Sequence, residues 1–118
     1  MNVCCMRKSD KDILNHILAY CEDVEKTINR FGNNPGTFDS DVDYRNSISM
    51  SLLQIGELSG HLSDNFRSST MDKMDWRAVK AMRNLFAHNY GAMDIEKIWS
   101  TAIYDIPVLK TFCRETIK

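Results

Sequence analysis

A chain of 118 residues suits one domain and leaves no room for a second core. Its 43 % hydrophobic and 26 % charged residues are ordinary for a soluble globular protein, and a net charge of −1 excludes a bulk polyanion binder. No apolar run approaches the roughly 18 residues of a membrane span, and the N-terminal MNVCCMRKSDKD has neither the apolar core nor the cleavage site of a signal peptide, so a cytoplasmic protein with no membrane partner is expected.

Helical periodicity governs the chain from its start. Ser9 is placed to cap a first helix, whose apolar stripe runs through Ile13, Ile17, Cys21, Val24, Ile28 and Phe31. Gly32 is the expected stop, and NNPG (33–36) a loop. Residues 38–43 form an acidic approach to a second helix, where negative charge suits the helix dipole. Its stripe is Ile48, Leu52, Ile55, Leu58 and Leu62. Gly56 and Gly60 lie four apart on it, each at a cost of about 1 kcal/mol relative to alanine. That cost suggests close approach by another backbone; two tolerated glycines are the simpler reading.

The stretch DNFRSSTMDKMD (64–75) reads as polar and irregular. Asp75 then caps a short third helix beginning at Trp76, with Val79, Met82, Leu85 and Phe86 inward and Gly91 as its end. Asp94 caps the last helix, whose apolar face runs from Ile95 to Cys113 with Pro107 expected to kink or restart it. No segment alternates like a strand. The expected architecture is all-α: an antiparallel four-helix bundle with a short extra helix. A domain this size buries only about two thirds of its unfolded surface, so pairing with a second subunit would help it.

The cysteines Cys4, Cys5, Cys21 and Cys113 have no zinc-site spacing and read as small buried hydrophobes or free thiols, so no metal or cofactor is expected. Charge is uneven. Between residues 66 and 90, five basic residues (Arg67, Lys73, Arg77, Lys80, Arg83) face two acidic ones (Asp72, Asp75), a local +3. Such a strip either holds a phosphate backbone or is simply a solvated helix face. In the first case Arg77 and Lys80 would support substrate binding.

The strip runs into RNLFAHNY (83–90), which puts an arginine, an asparagine, a histidine and a tyrosine within eight residues. Asn84 and His88 are four apart and share a helix face; Arg83 and Tyr90, seven apart, also align. Arg83 and His88 lie about 140° apart around an ideal helix, so they converge only on a ligand that wraps the helix end, or if the last turn is distorted. Histidine exchanges a proton near neutral pH. Arginine is a charged fork suited to phosphate oxygens. RNA cleavage without metal needs a base for the 2′-hydroxyl, a cation for the charge building on phosphorus and an acid for the leaving oxygen. One copy supplies the first two; two copies across a dimer axis would supply all three. The bland reading is a last turn whose Arg and His meet the helix dipole.

R-x4-H-x-Y, here Arg83, His88 and Tyr90 with Asn84 after the arginine, resembles the signature of the HEPN superfamily. The chain is most similar to the HepT-like toxins, the ribonuclease halves of type VII toxin–antitoxin pairs. The likeness extends to the opening helix, QIGEL (54–58), WRAVKAMRN (76–84), the aspartate and tryptophan of MDIEKIW (93–99) and DIPVL (105–109), in order over roughly residues 9–112. It implies a single helical domain over 9–118 behind a flexible tail, 1–8, and a homodimer whose motifs line one cleft. It implies metal-independent endoribonuclease activity on RNA, with Arg83 and His88 catalytic and Asn84 supporting. It also implies that a partner nucleotidyltransferase antitoxin, MntA-like, attaches AMP to Tyr90 and so silences the toxin. Family members often carry proline before the tryptophan; Asp75 stands there instead, which alters the cap and not the chemistry.

The rival is a non-catalytic helical adaptor or nucleotide-binding partner of a nucleotidyltransferase. Elsewhere, His16 and His61 read as structural, and Trp76 and Trp99 as core anchors. Glu57 either pairs with Arg83 or another basic side chain, or takes an ordinary surface position.

Overall fold

The computed structural model describes residues 6–85 and 94–118, and all regular structure among them is helical. The first helix, α1 (Lys8–Phe31), begins one residue ahead of Ser9, with Arg7 in the cap position and no side-chain cap. Its first turn is held from outside instead. Asp10, only 2 % exposed, accepts hydrogen bonds from the Ser63 amide at 2.8 Å and the Ser63 hydroxyl at 2.6 Å. A buried carboxylate survives only with such partners. Asp10→Ala is expected to lower unfolding free energy by about 2 kcal/mol, because it strands both donors. A reduced urea midpoint at unchanged slope is the readout; an unaltered midpoint would mean the tether contributes nothing net.

The α1 stripe is inward as expected: Ile17, Cys21 and Val24 are buried beside Leu14, with Ile13, Ile28 and Phe31 at the core margin. Gly32 ends the helix at φ 105°, a left-handed conformation that glycine adopts without penalty, and its amide closes back on the Ile28 carbonyl at 2.7 Å.

NNPG is more than a loop. Asn34 Oδ1 accepts from the amides of Gly36 (2.8 Å) and Thr37 (3.2 Å), and Pro35 stands in the first turn of α2 (Pro35–Ser40). Asp41 ends that helix and caps the next, accepting from Asp43 and Tyr44 amides at the start of α3 (Val42–Ser59). The polar stretch after it also contains a helix, α4 (Asp64–Ser69), capped by Ser63 and carrying buried Phe66. Six residues with one buried side chain leave no periodic signal to read.

As expected, Asp75 caps α5 (Trp76–Ala81) and Asp94 caps α6 (Ile95–Ser100). The expected break near Pro107 takes a specific form. A π-helical turn, Thr101–Asp105, separates α6 from α7 (Ile106–Ile117), and the Ile106 amide bonds to the Thr101 carbonyl. The proline ring crowds the carbonyl four residues back, that of Ile103, and the helix widens there before Pro107 enters the first turn of α7.

The long helices run antiparallel. On α7, Lys110 and then Arg114 pair with Glu25 and then Glu22 on α1, so rising numbers on one meet falling numbers on the other. Between α1 and α3 the same holds: Thr27 meets Ser47, while Asp10 meets Ser63 just beyond the end of α3. The resulting all-α bundle buries Leu52, Ile55, Ile98, Ile106 and Leu109. Trp76 is buried and stacks edge-on with Phe112; Trp99 packs against Phe38 and Tyr44. Both tryptophans are core anchors. Cys21 and Cys113 are buried free thiols, and burial pushes the Cys113 pKa up to about 12 and raises that of Cys21 further, which keeps both protonated and inert. Cys4 and Cys5 lie outside the described residues. No helix among the described residues is long and apolar enough to cross a membrane.

Candidate active site

The segment that carries the first half of the octet is anchored at its start. The Trp76 indole donates to the Thr70 hydroxyl at 2.8 Å, and that hydroxyl donates to the Phe66 carbonyl at 2.8 Å. α5 is thereby tied to the end of α4. Trp76 and Val79 face the core.

The α-helix does not continue through the octet. It tightens at Met82 into a 3₁₀ turn, Met82–Leu85. That changes which side chains face out. A 3₁₀ turn repeats every three residues, so Met82 and Leu85 stack on the inner side. Met82 is buried and Leu85 half-buried, while Arg83 and Asn84 are exposed. Over Met82–Leu85 the spacing of side chains is therefore that of a 3₁₀ turn and not of an ideal α-helix. His88 and Tyr90, together with Phe86 and Gly91, lie outside the described residues.

Arg83 sits against α3 at the QIGEL segment. A Cβ on Gly56 would lie 2.6 Å from the Arg83 amide nitrogen, 3.1 Å from its Cβ and 3.2 Å from its Cα. No side chain fits there. Of the two readings of this glycine, close backbone approach is the correct one. Gly60 has a different role, ending α3.

The next residue, Glu57, pairs with the arginine. Its Oε1 lies 3.4 Å from Arg83 Nε, with both side chains 47 % exposed. A pair so exposed adds little stability. The contact is made through Nε, and no hydrogen bond among the described residues takes the terminal nitrogens of the guanidinium, the edge that suits a bidentate anion.

The basic strip is less uniform than its composition suggests. Arg67 is used internally: it pairs with Asp64 at 2.6 Å and donates to the carbonyls of Ser59 and Gly60 at 3.3 Å each, covering the end of α3. Lys80 reaches the same end, its Cε 4.0 Å from the position a Gly60 Cβ would take. Arg77 and Lys80 are exposed, and neither forms an ion pair among the described residues. The surface beside Arg83 and Asn84 therefore offers Lys80 and Arg77 as open cations. His16 and His61 are both exposed.

Over residues 17–116 the chain matches a family described as "Ribonuclease HepT-like". A curated protein of Thermococcus cleftensis, described as "Probable ribonuclease HepT", is 28 % identical over 105 residues, which cover 89 % of this chain and 93 % of that protein. No solved structure matches significantly.

Proposed function

The chain belongs to the HepT-like ribonuclease family, and on that premise we propose that it is a metal-independent endoribonuclease acting as the toxin of a toxin–antitoxin pair. Two subunits bring their octets to one cleft around a scissile phosphodiester. His88 serves as base or acid. It takes the proton of the 2′-hydroxyl or gives one to the departing 5′-oxygen, and its counterpart in the second subunit performs the other transfer. The 2′-oxygen bonds to phosphorus, the 5′-oxygen leaves, and a cyclic phosphate results. Arg83 stabilises the phosphorane-like transition state, where negative charge concentrates on the non-bridging oxygens. Asn84 supports the imidazole or a sugar hydroxyl, and Lys80 and Arg77 hold the flanking backbone.

The observation that supports this most is the seat of Arg83. A glycine that costs helix stability admits its backbone, and a carboxylate pairs with its guanidinium through Nε. Packing for stability alone needs neither feature.

Silencing is part of the same proposal. A partner nucleotidyltransferase transfers AMP from ATP to the Tyr90 hydroxyl, with pyrophosphate leaving. The added phosphate, carried on the same octet as Arg83, then competes with RNA for that arginine and repels the strand.

The test is cleavage of end-labelled RNA by purified protein with and without EDTA. Equal rates are expected. Activity lost on chelation would overturn the metal-independent mechanism. No cleavage in either condition, with no growth arrest on expression, would favour the non-catalytic partner instead.

A further inference from the structure

We propose that the RNA path continues from Arg83 into a second phosphate-binding subsite, a polar hollow at the end of α3 that takes the backbone about one nucleotide from the scissile phosphate. The inference rests on the nuclease reading and extends its site. The hollow, about 530 Å³, is lined by Arg7, Gly60, His61, Asp64, Asn65 and Arg67 among others.

Its position follows from α3. Arg83 packs on Gly56, and Lys80 reaches Gly60. Those glycines are one helical turn apart, about 6 Å along the axis. That is comparable with the step between successive phosphates in an extended strand. Gly60 is itself part of the hollow wall. Lys80 thus stands on the same face of α3 as Arg83, one turn nearer the hollow.

The charge of the hollow suits an anion. Asp64 is the one carboxylate in the lining, and Arg67 neutralises it at 2.6 Å. Arg67 also covers the Ser59 and Gly60 carbonyls, which removes the negative pole that a bare helix end would present. Neither Arg7 nor Lys80 forms an ion pair among the described residues. His61 and Asn65 add donors for phosphate oxygens and a ribose hydroxyl.

The hollow is also pre-formed. Arg7 stands three residues before Asp10, whose carboxylate holds both the amide and the hydroxyl of Ser63 in the opposite wall. The buried tether fixes the start of α1 against the turn that follows α3. Arg7 and His61, 54 positions apart in sequence, line one concavity as a result.

The test uses full-length His88→Ala protein, so that RNA is bound and not cut. Anisotropy of a fluorescent hexaribonucleotide is followed across a salt series. Combined Arg7→Ala and His61→Ala replacement is expected to weaken binding at low salt by about five-fold or more and to flatten the salt slope by about 0.7 for each phosphate no longer held. Arg7→Lys in place of Arg7→Ala should restore most of the slope. Both residues are exposed, and thermal melts by circular dichroism verify that each variant is folded. Unchanged affinity and slope in the folded double variant overturn the proposal. Failure of the nuclease reading appears separately, as RNA left intact by wild-type protein.

Discussion

Gly56→Ala is expected to damage stability and cleavage together. The added methyl carbon would stand 2.6 Å from the Arg83 amide nitrogen and 3.2 Å from its Cα. These are backbone atoms, so no side-chain rotation relieves the clash; α3 and the 3₁₀ turn must separate. Overpacking of this kind costs about 1–3 kcal/mol, and the better helix propensity of alanine returns about 1 kcal/mol of it. A net loss of up to about 2 kcal/mol should appear as a lower urea midpoint. The effect on cleavage should be larger, because a displacement of about 1 Å at a positioning group can cost about 10²-fold in rate. Gly60→Ala is the stability control. Its nearest contact is the Glu57 carbonyl at 3.3 Å, in the last turn of its own helix, and its midpoint should stay close to that of wild type. Wild-type cleavage and stability in Gly56→Ala would show that this contact does not hold Arg83 in its working position.

Gly56 also shows where the sequence was legible. A glycine in mid-helix has a known cost, which raised a close approach beside the simpler reading of two tolerated glycines. The identity of the approaching backbone needed the fold. Glu57 meets both of its readings: it pairs with Arg83 and it does so at the surface, half exposed. The long helices were readable because their apolar residues recur over several turns. The caps at Asp75 and Asp94 were readable because capping is chemistry local to three residues.

The misses have a common cause. α2 and α4 have six residues each, too few for a period, although Asn34–Pro35 and Ser63 carry capping chemistry that could have revealed them. The 3₁₀ and π turns answer to packing and to Pro107, not to a residue pattern at the turns themselves. Arg67 counted as a free cation in the basic strip because its acceptors, the Ser59 and Gly60 carbonyls, are backbone atoms that composition cannot show. Arg7 and His61 drew no joint attention, since only the Asp10–Ser63 tether brings their segments together. Of the octet, Arg83 and Asn84 fall within the described residues, and His88 and Tyr90 do not.

Replacement of Arg83 separates charge from geometry. Glu57 lies against Nε, so on the nuclease reading the edge for phosphate is the pair of terminal nitrogens. Two parallel donors match two non-bridging oxygens, and their contact strengthens as charge builds on phosphorus. A lysine keeps the charge and offers a single ammonium. If it pairs with Glu57 it is withdrawn from the phosphate; if it reaches the phosphate it presents no fork. Arg83→Lys is therefore expected to lower kcat by about 10²-fold, the size of one missing transition-state donor, with a smaller change in KM. Arg83→Ala should lose about 10³-fold or more, because charge and donors go together. Glu57→Gln keeps an oxygen acceptor beside Nε and should cost far less than either, with little change in stability, since the pair is half exposed. Full kcat in Arg83→Lys would reduce the arginine to a general positive charge. Full kcat in Arg83→Ala would remove it from the chemistry altogether, and the Gly56 seat would then have to be explained by packing.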